Sequence, residues 1–309
     1  MRIGWRIASI ATFVLLAWFA SVTVATAQDE VLMPDQSAAK AKQIIQQGID
    51  ALGGQAYLNV HDITYTGQLS AFGHSGDLNG FEKFIDYEQP PFKERQENLP
   101  KRNIIEVNNR DKGWVLDRGG VSEAATSDVA RFQENIQIDI YNIFRNRIHE
   151  PNMIFRYAGG DVVDLKEADW IELVDSENRT IRIAFARSTH LPIRKTVDIR
   201  DPSTQLKSQE IEYYSLYHPI DGIQTAFQIT RERNGFKVYQ VFFDKIQYNT
   251  NVPDSLFTKE SLDERWDKIG KKDKKKQDKQ NKQDNADGAK GKDTSFAPKP
   301  FSESFAPQR

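Results

Sequence analysis

The side chains best suited to acid–base chemistry or metal ligation are five histidines, His61, His74, His149, His190 and His218. They are scattered, and none has a second ligand-type residue at the i, i+4 spacing that places two imidazoles on one helix face. The chain has no cysteine, so it offers no thiolate nucleophile and no soft metal ligand. No Gly-x-Ser-x-Gly elbow exposes a serine on a strand-to-helix turn, and no glycine-rich loop follows a strand to cradle a phosphate. Carboxylates are abundant, but Glu82, Asp86 and Glu88 alternate with Phe81, Ile85 and Tyr87, the pattern of a strand with one wet face. The residues therefore imply no catalytic centre, no metal site and no cofactor.

Charge and compartment narrow the class further. Arg2 and Arg6 precede an apolar run from Ile7 to Val24, and small residues follow at Ala25-Thr26-Ala27. That order is the signature of a cleaved secretory signal peptide, spanning 1–27. An uncleaved anchor is the competing reading, since the run is long enough to span a bilayer. The body, 28–266, carries the net negative charge. The tail from Asp267 has twelve Lys/Arg against seven Asp/Glu. An acidic body lacks the basic face that nucleic acid requires, so no nucleic-acid partner is expected. Without cysteine the exported chain has no disulfides, and burial alone must hold it together. The expected location is periplasmic, with secretion as second choice.

The tail, 267–309, is Lys-, Asp-, Gln- and Gly-rich with almost nothing apolar before a repeated Ser-Phe-Ala-Pro at Ser295 and Ser304. Such a segment cannot bury enough surface to offset its ordering entropy and is expected to be disordered. In the body, Ile44, Ile45, Ile49 and Leu52 recur at helical spacing after Ser37, a candidate N-cap, and Gly53-Gly54 ends the run. The period then changes to two. About eleven strands follow, interrupted by one long amphipathic helix between Asp128 and Ile148. Its apolar stripe is Val129, Phe132, Ile136, Ile140, Ile143 and Phe144. Arg131, Glu134, Asn135, Asn142 and Arg145 lie mainly away from it. Asn234-Gly235 and Asp221-Gly222 join late strands by tight turns, which makes the pairing antiparallel.

The fold class is therefore mainly β: a curled antiparallel sheet with little helix to cover it. A large sheet with one apolar face must close on itself, stack on a second sheet, or be roofed by the helices. A curled sheet roofed by a helix leaves an apolar chamber suited to a lipid; a solid core is the other outcome the pattern allows. For the chamber, the helix contributes Phe132, Ile136, Ile140 and Phe144. The opposing face is expected to be Ile63, Tyr65, Leu69, Phe81, Ile85, Trp114, Ile183, Phe185, Ile193, Ile211, Tyr213, Phe227 and Ile229.

Several segments resemble a known family. Lys40–Gly54, ending Ala51-Leu52-Gly53-Gly54, precedes a first strand reaching Gly67. Lys112-Gly113-Trp114, Leu191-Pro192-Ile193-Arg194-Lys195, Tyr217 with Asp221-Gly222, and Val252-Pro253-Asp254-Ser255-Leu256-Phe257 follow in order. Together, over about Lys40 to Phe257, they resemble outer-membrane lipoprotein-sorting proteins of the LolA/LolB type. The resemblance implies an incomplete barrel with helices over its concave face. It also implies a non-enzymatic carrier of lipid or lipoprotein acyl chains, moving cargo toward the outer membrane. Envelope membrane proteins are the implied donors and receptors. The LolB kind is lipid-anchored; the absence of cysteine places this chain with the soluble kind. The family's lid arginine is not identifiable by motif, so the resemblance assigns no role to Arg131, Arg145 or Arg147. Two rival readings are an exported enzyme whose site is assembled in space, and an envelope scaffold with a solid core.

The leader has a direct test. N-terminal sequencing of the exported protein should begin at or near Gln28; retention of Met1 would support the anchor.

Overall fold

The computed structural model describes residues 32–200 and 207–271. The expected signal peptide lies outside these residues, as does the tail beyond 271. Thirteen strands form one antiparallel sheet, open at both edges. The first meander is β1 (Ile63–Phe72), β2 (Leu78–Gln89), β3 (Lys93–Leu99), β4 (Ile105–Asn109), β5 (Lys112–Asp117) and β6 (Gly120–Glu123). The second is β7 (Ile154–Val163), β8 (Lys166–Val174), β9 (Thr180–Ala186), β10 (Pro192–Arg200), β11 (Lys207–Ile220), β12 (Ile223–Arg233) and β13 (Phe236–Tyr248). β1 pairs with β13 and joins the two, so β6 and β7 are the outer edges.

The turns behave as their residues dictate. Asn234 (φ 51°) and Gly235 (φ 81°) both have positive φ, as a type I′ hairpin demands. The count exceeds the expected eleven by two; one of the two is β6, which has too few residues to show a period.

Helices α1 (Pro34–Leu52), α2 (Gln55–Leu58), α3 (Thr126–Ile138) and α4 (Ile140–Arg145) lie on one face, here called inner. α1 touches β7 and β8 and also β12. Those strands lie four to five steps apart in the sheet, which is ~19–24 Å if the sheet were flat. A helix only ~10–12 Å across reaches both because the sheet curls around it. Ile44, Ile45, Ile49 and Leu52 of α1 meet Ile171, Leu173, Ile181, Ile183 and Phe185 in the main core.

The start of α1 differs from expectation. It begins at Pro34, a favoured first helical residue, and the Gln36 side chain accepts from the Met33 amide at 3.0 Å. Ser37 is inside the helix instead. Its hydroxyl accepts from the Tyr157 amide at 2.9 Å and ties α1 to β7.

The long helix expected over 128–148 is broken. Asp139 is extended (ψ 129°) and caps α4, its carboxylate accepting from the Asn142 amide at 2.6 Å. An aspartate competes for its own backbone in this way and favours a cap over a helix interior. The break turns α4 relative to α3.

Among the described residues, helical segments cover the outer face at one end. Residues 254–257 form a 3-10 turn and 259–271 a helix, α5. Phe257 and Leu262, both fully buried, pack with Ile105, Val107 and Leu116. The boundary expected at Asp267 falls within α5, where Ile269 still packs against this cluster.

Gly48 marks how closely α1 approaches the sheet: a Cβ there would lie 2.3 Å from the Phe185 ring. That ring is itself wedged against Phe144, 5.7 Å between centroids. Gly→Ala inside a helix ordinarily stabilises by about 1 kcal/mol. Here overpacking at ~1–3 kcal/mol should win. Gly48→Ala is expected to lower the denaturant midpoint; a raised midpoint would show that Phe185 moves aside freely.

Candidate functional site

The chain leaves the first meander at the β6 edge and must re-enter at β7, the opposite edge. The connection, α3 and α4, crosses the inner face. Beneath α3 and the start of α4 lies a cavity of about 520 Å³. Its floor is Ile63, Tyr65, Ala226, Ile229, Tyr239, Phe243, Ile246 and Tyr248; its roof includes Phe132 and Ile136. The volume falls within the ~300–1,000 Å³ common for single-ligand pockets.

The expected lining sorts into several places. Ile63, Tyr65, Phe132, Ile136 and Ile229 border the cavity. Ile140, Phe144, Ile183 and Phe185 are in the packed core around α1, with Phe227 at its margin. Leu69 shares the face of Tyr65 but lies beyond the cavity. The remaining six do not join that face. Phe81 is 66% exposed. Ile85 pairs with Thr66, so it points away from Tyr65. Trp114 packs on the outer cluster with Leu116, and Ile193 belongs to a separate outer cluster with Trp170. Tyr213 stands beside Arg194, and Ile211 pairs with Glu232. These strands are apolar on both faces, and alternation alone does not say which face is inner.

Register gives the reason in β2. Tyr65 pairs with Asp86, Ile63 with Glu88 and Gly67 with Phe84. Cross-strand partners share a face, so the inner face of β2 is Phe84, Asp86 and Glu88. Asp86 and Glu88 are not on a wet face. Glu88 in turn pairs with Glu94 of β3. Ligand oxygens of Asp86, Glu88 and Glu94 come within 4.8 Å of one another. Asp86 is 1% exposed, and its Oδ1 has no hydrogen-bond partner among the described residues. The Tyr65 hydroxyl donates to Glu88, and Asn108 donates to Glu94 at 3.4 Å. Burial pushes the Glu88 carboxyl up to about 8, with Glu94 adding to the effect. Burial likewise lifts Glu94 to about 7 and holds Asp86 well above the carboxylate range. The one in-sequence signal was Phe84, an aromatic in what alternation reads as the polar phase of β2.

The polar residues of the roof are also in the wall. Arg131, Asn135, Asn142 and Arg145 line the cavity rather than facing away; for Asn142 and Arg145 the reason is the break at Asp139, which changes the helical phase after it. Arg145 stacks over Tyr57 and Tyr141, at 4.6 and 5.7 Å, and its Nε and Nη1 find no hydrogen-bond partner among the described residues.

A buried ion network closes the remaining side. Lys195 Nζ donates to the Ile138 carbonyl at 2.7 Å and contacts Glu212 at 2.6 Å. Arg231 also pairs with Glu212. Burial would raise the Glu212 carboxyl, but Lys195 and Arg231 hold it well below the usual range. Arg147 donates to the Gln137 carbonyl and pairs with Glu150 and, at 3.0 Å, with buried Asp175. The last carbonyls of α3 are thus met by two cations from separate elements, the favourable charge for a helix C-terminus.

Neither a protein-family model nor a curated protein sequence matches the chain. Solved structures do match. A DUF1329 family protein from Desulfovibrio piger aligns at TM-score 0.51 and 16% identity, covering 72% of this chain and 98% of the other. A putative outer membrane lipoprotein-sorting protein domain from Vibrio parahaemolyticus aligns at 0.50 and 10%, covering 73% and 99%. A LolA superfamily protein from Nitrosomonas europaea aligns at 0.45 and 14%, covering 72% and 99%. The chain thus has the open-sheet fold that its LolA/LolB-like motifs imply.

The carboxylate cluster predicts a pH dependence. The folded-state values of Glu88 and Glu94 lie above the ordinary glutamate value of 4.5. Their contribution is then fully present below that value and is lost as pH rises through about 7 to 8. Glu212 has the opposite shift and changes only at lower pH. Denaturant midpoints should fall between pH 5 and 8.5, and Glu88→Gln with Glu94→Gln should flatten the slope. A wild-type midpoint constant over that range would contradict the assignment.

Proposed function

We propose that the protein is a non-enzymatic carrier that shields the acyl chain of a lipid or lipid-modified protein in the cavity under α3. The observation that carries this reading is the cavity itself: about 520 Å³ beneath a single crossing connection, with Ile63, Ile136, Ile229, Phe243 and Ile246 in its wall. Each methylene moved into water costs ~0.8 kcal/mol, so an acylated cargo crosses an aqueous compartment only when covered. A carrier must also release it. A roof made by one broken helix, held at the C-terminus of α3, can open by moving a single connection.

The signal-peptide pattern at 1–27 supports a periplasmic site of action, and so does the likeness to a lipoprotein-sorting domain. Cargo transfer would then involve envelope membranes or their proteins. The volume suits one or two chains better than a fully acylated lipoprotein with its peptide. The half-buried ion network is the feature an enzyme reading would use. Its acids and bases are paired with one another, however, which suits a wall better than a reacting centre.

The test compares two positions on the roof. Phe144, fully buried in the core, should cost about 3–5 kcal/mol when replaced by alanine. Ile136 borders open space, so Ile136→Ala should fall below the ~2–5 kcal/mol of a packed isoleucine. Ile136→Gln should weaken binding of a fluorescent fatty-acyl probe more than it lowers the unfolding midpoint. Binding and folding lost in equal step would mean a filled core, and a well-folded wild type that binds no acyl probe would reject the carrier.

A further inference from the structure

Resting on the carrier reading, we propose that the β1–β3 end of the cavity is a subsite for an organic ammonium group, so that the preferred ligand is an amphiphile with a protonated amine in its head group.

The register places the subsite. Asp86 and Glu88 of β2 alternate with Phe84 on the inner face, opposite Tyr65 of β1 and Glu94 of β3. Three carboxyl groups therefore meet, with ligand oxygens within 4.8 Å of one another, at the wall that Glu88, Glu94 and Tyr65 share with the cavity. The Oδ1 of Asp86, behind them and 1% exposed, has no hydrogen-bond partner among the described residues. Such an atom carries a desolvation cost that a donor from a ligand would remove.

The rings beside the carboxyl groups distinguish an ammonium from a metal ion. Tyr65, Phe84 and Phe243 stand mutually edge to face, with centroids 5.0 to 6.4 Å apart. Carboxylates next to aromatic rings at the end of an apolar cavity match an alkylammonium, which gains from both cation–π attraction and charge pairing. The three carboxyl groups offer oxygens to a small divalent cation as well, but such an ion keeps several waters in its shell and the rings beside the carboxyl groups add no ligand to it.

Charges around the cluster are compatible. Tyr65 faces it from β1, Asn108 from β4 and Tyr239 from β13. Asp139 and Arg145 act on it from the α3–α4 junction. Arg145 is the cation that lowers Glu88, and its effect is smaller than the raising effects of burial and Glu94. With no ligand the cluster keeps protons at neutral pH; an entering cation favours the ionised carboxylates and displaces them.

The experiment uses the whole exported protein and four probes: dodecylammonium, dodecanoate, a neutral twelve-carbon alcohol, and Ca²⁺ alone. Affinities are measured by titration calorimetry at pH 7 in two buffers of different ionisation enthalpy. Dodecylammonium should bind at least tenfold more tightly than dodecanoate and release protons; the alcohol should release none. Glu88→Gln with Glu94→Gln should reduce the ammonium-to-alcohol affinity ratio at least fivefold. If that variant does not fold, proton release by the wild type still decides. Equal binding of all three chains, preference for dodecanoate, or ammonium binding without proton release would overturn the subsite while leaving the carrier intact. Saturable Ca²⁺ binding that competes with dodecylammonium would make it a metal site. Failure of every chain to bind would reject the carrier and the subsite together.

Discussion

The crossing of α3 and α4 from one edge of the sheet to the other is the constraint on which the rest depends. Two meanders that join at β1 and β13 leave their loose ends, β6 and β7, at opposite edges of the sheet, twelve steps apart in order. The connection between them has to traverse the inner face. It does so anchored by charge at one point: Lys195 and Arg147 both donate to the last carbonyls of α3. Burying cations is unfavourable unless they are paired, and here Glu212, Asp175 and Glu150 complete the pairing. The helix is therefore held at a polar joint beside the core rather than by continuous packing. Space is left along the rest of its length.

The inner face is divided by this arrangement. On the β7–β10 side, α1 and α4 fill the curl with Ile44, Ile49, Ile143 and Phe144 against Ile171, Ile183 and Phe185. On the β1–β3 and β11–β13 side, only α3 and the start of α4 reach over, and the cavity remains. One sheet thus has a filled half and an open half. The outer cluster of Phe257 and Leu262 packs on β4 and β5, next to β3, which carries Glu94.

Much of the architecture was legible because alternation and turn chemistry are local. Asn234-Gly235, the α1 stripe and most strand segments appear where period and glycine place them. The lining was legible only in part, for a non-local reason. Which face of a strand is inner depends on register with partners such as β13, nearly two hundred residues along the chain from β1. In β2 both phases contain aromatics, Phe81 and Tyr87, with Ile85 between them, against Phe84. Hydrophobicity favours the first set, yet the structure turns the second inward and takes Asp86 and Glu88 with it. Arg145 was misplaced through the same limit, since a break at one aspartate re-phases every residue after it.

Inward carboxyl groups in an otherwise apolar curl have a physical consequence independent of any cargo. A sheet that needed only to be stable would gain by replacing Asp86, whose Oδ1 meets no donor, with an apolar residue of similar size. Retaining three such groups in contact keeps one end of the cavity wet or ligand-seeking while the other end is lined by Ile229 and Ile246. Arg145 has the complementary deficit, donors without acceptors, on the roof above. The cavity thus has carboxyl groups in one wall and an arginine with unmet donors in its roof. A purely apolar chamber would hold any chain in any direction; on the carrier reading, these polar groups give this one a direction.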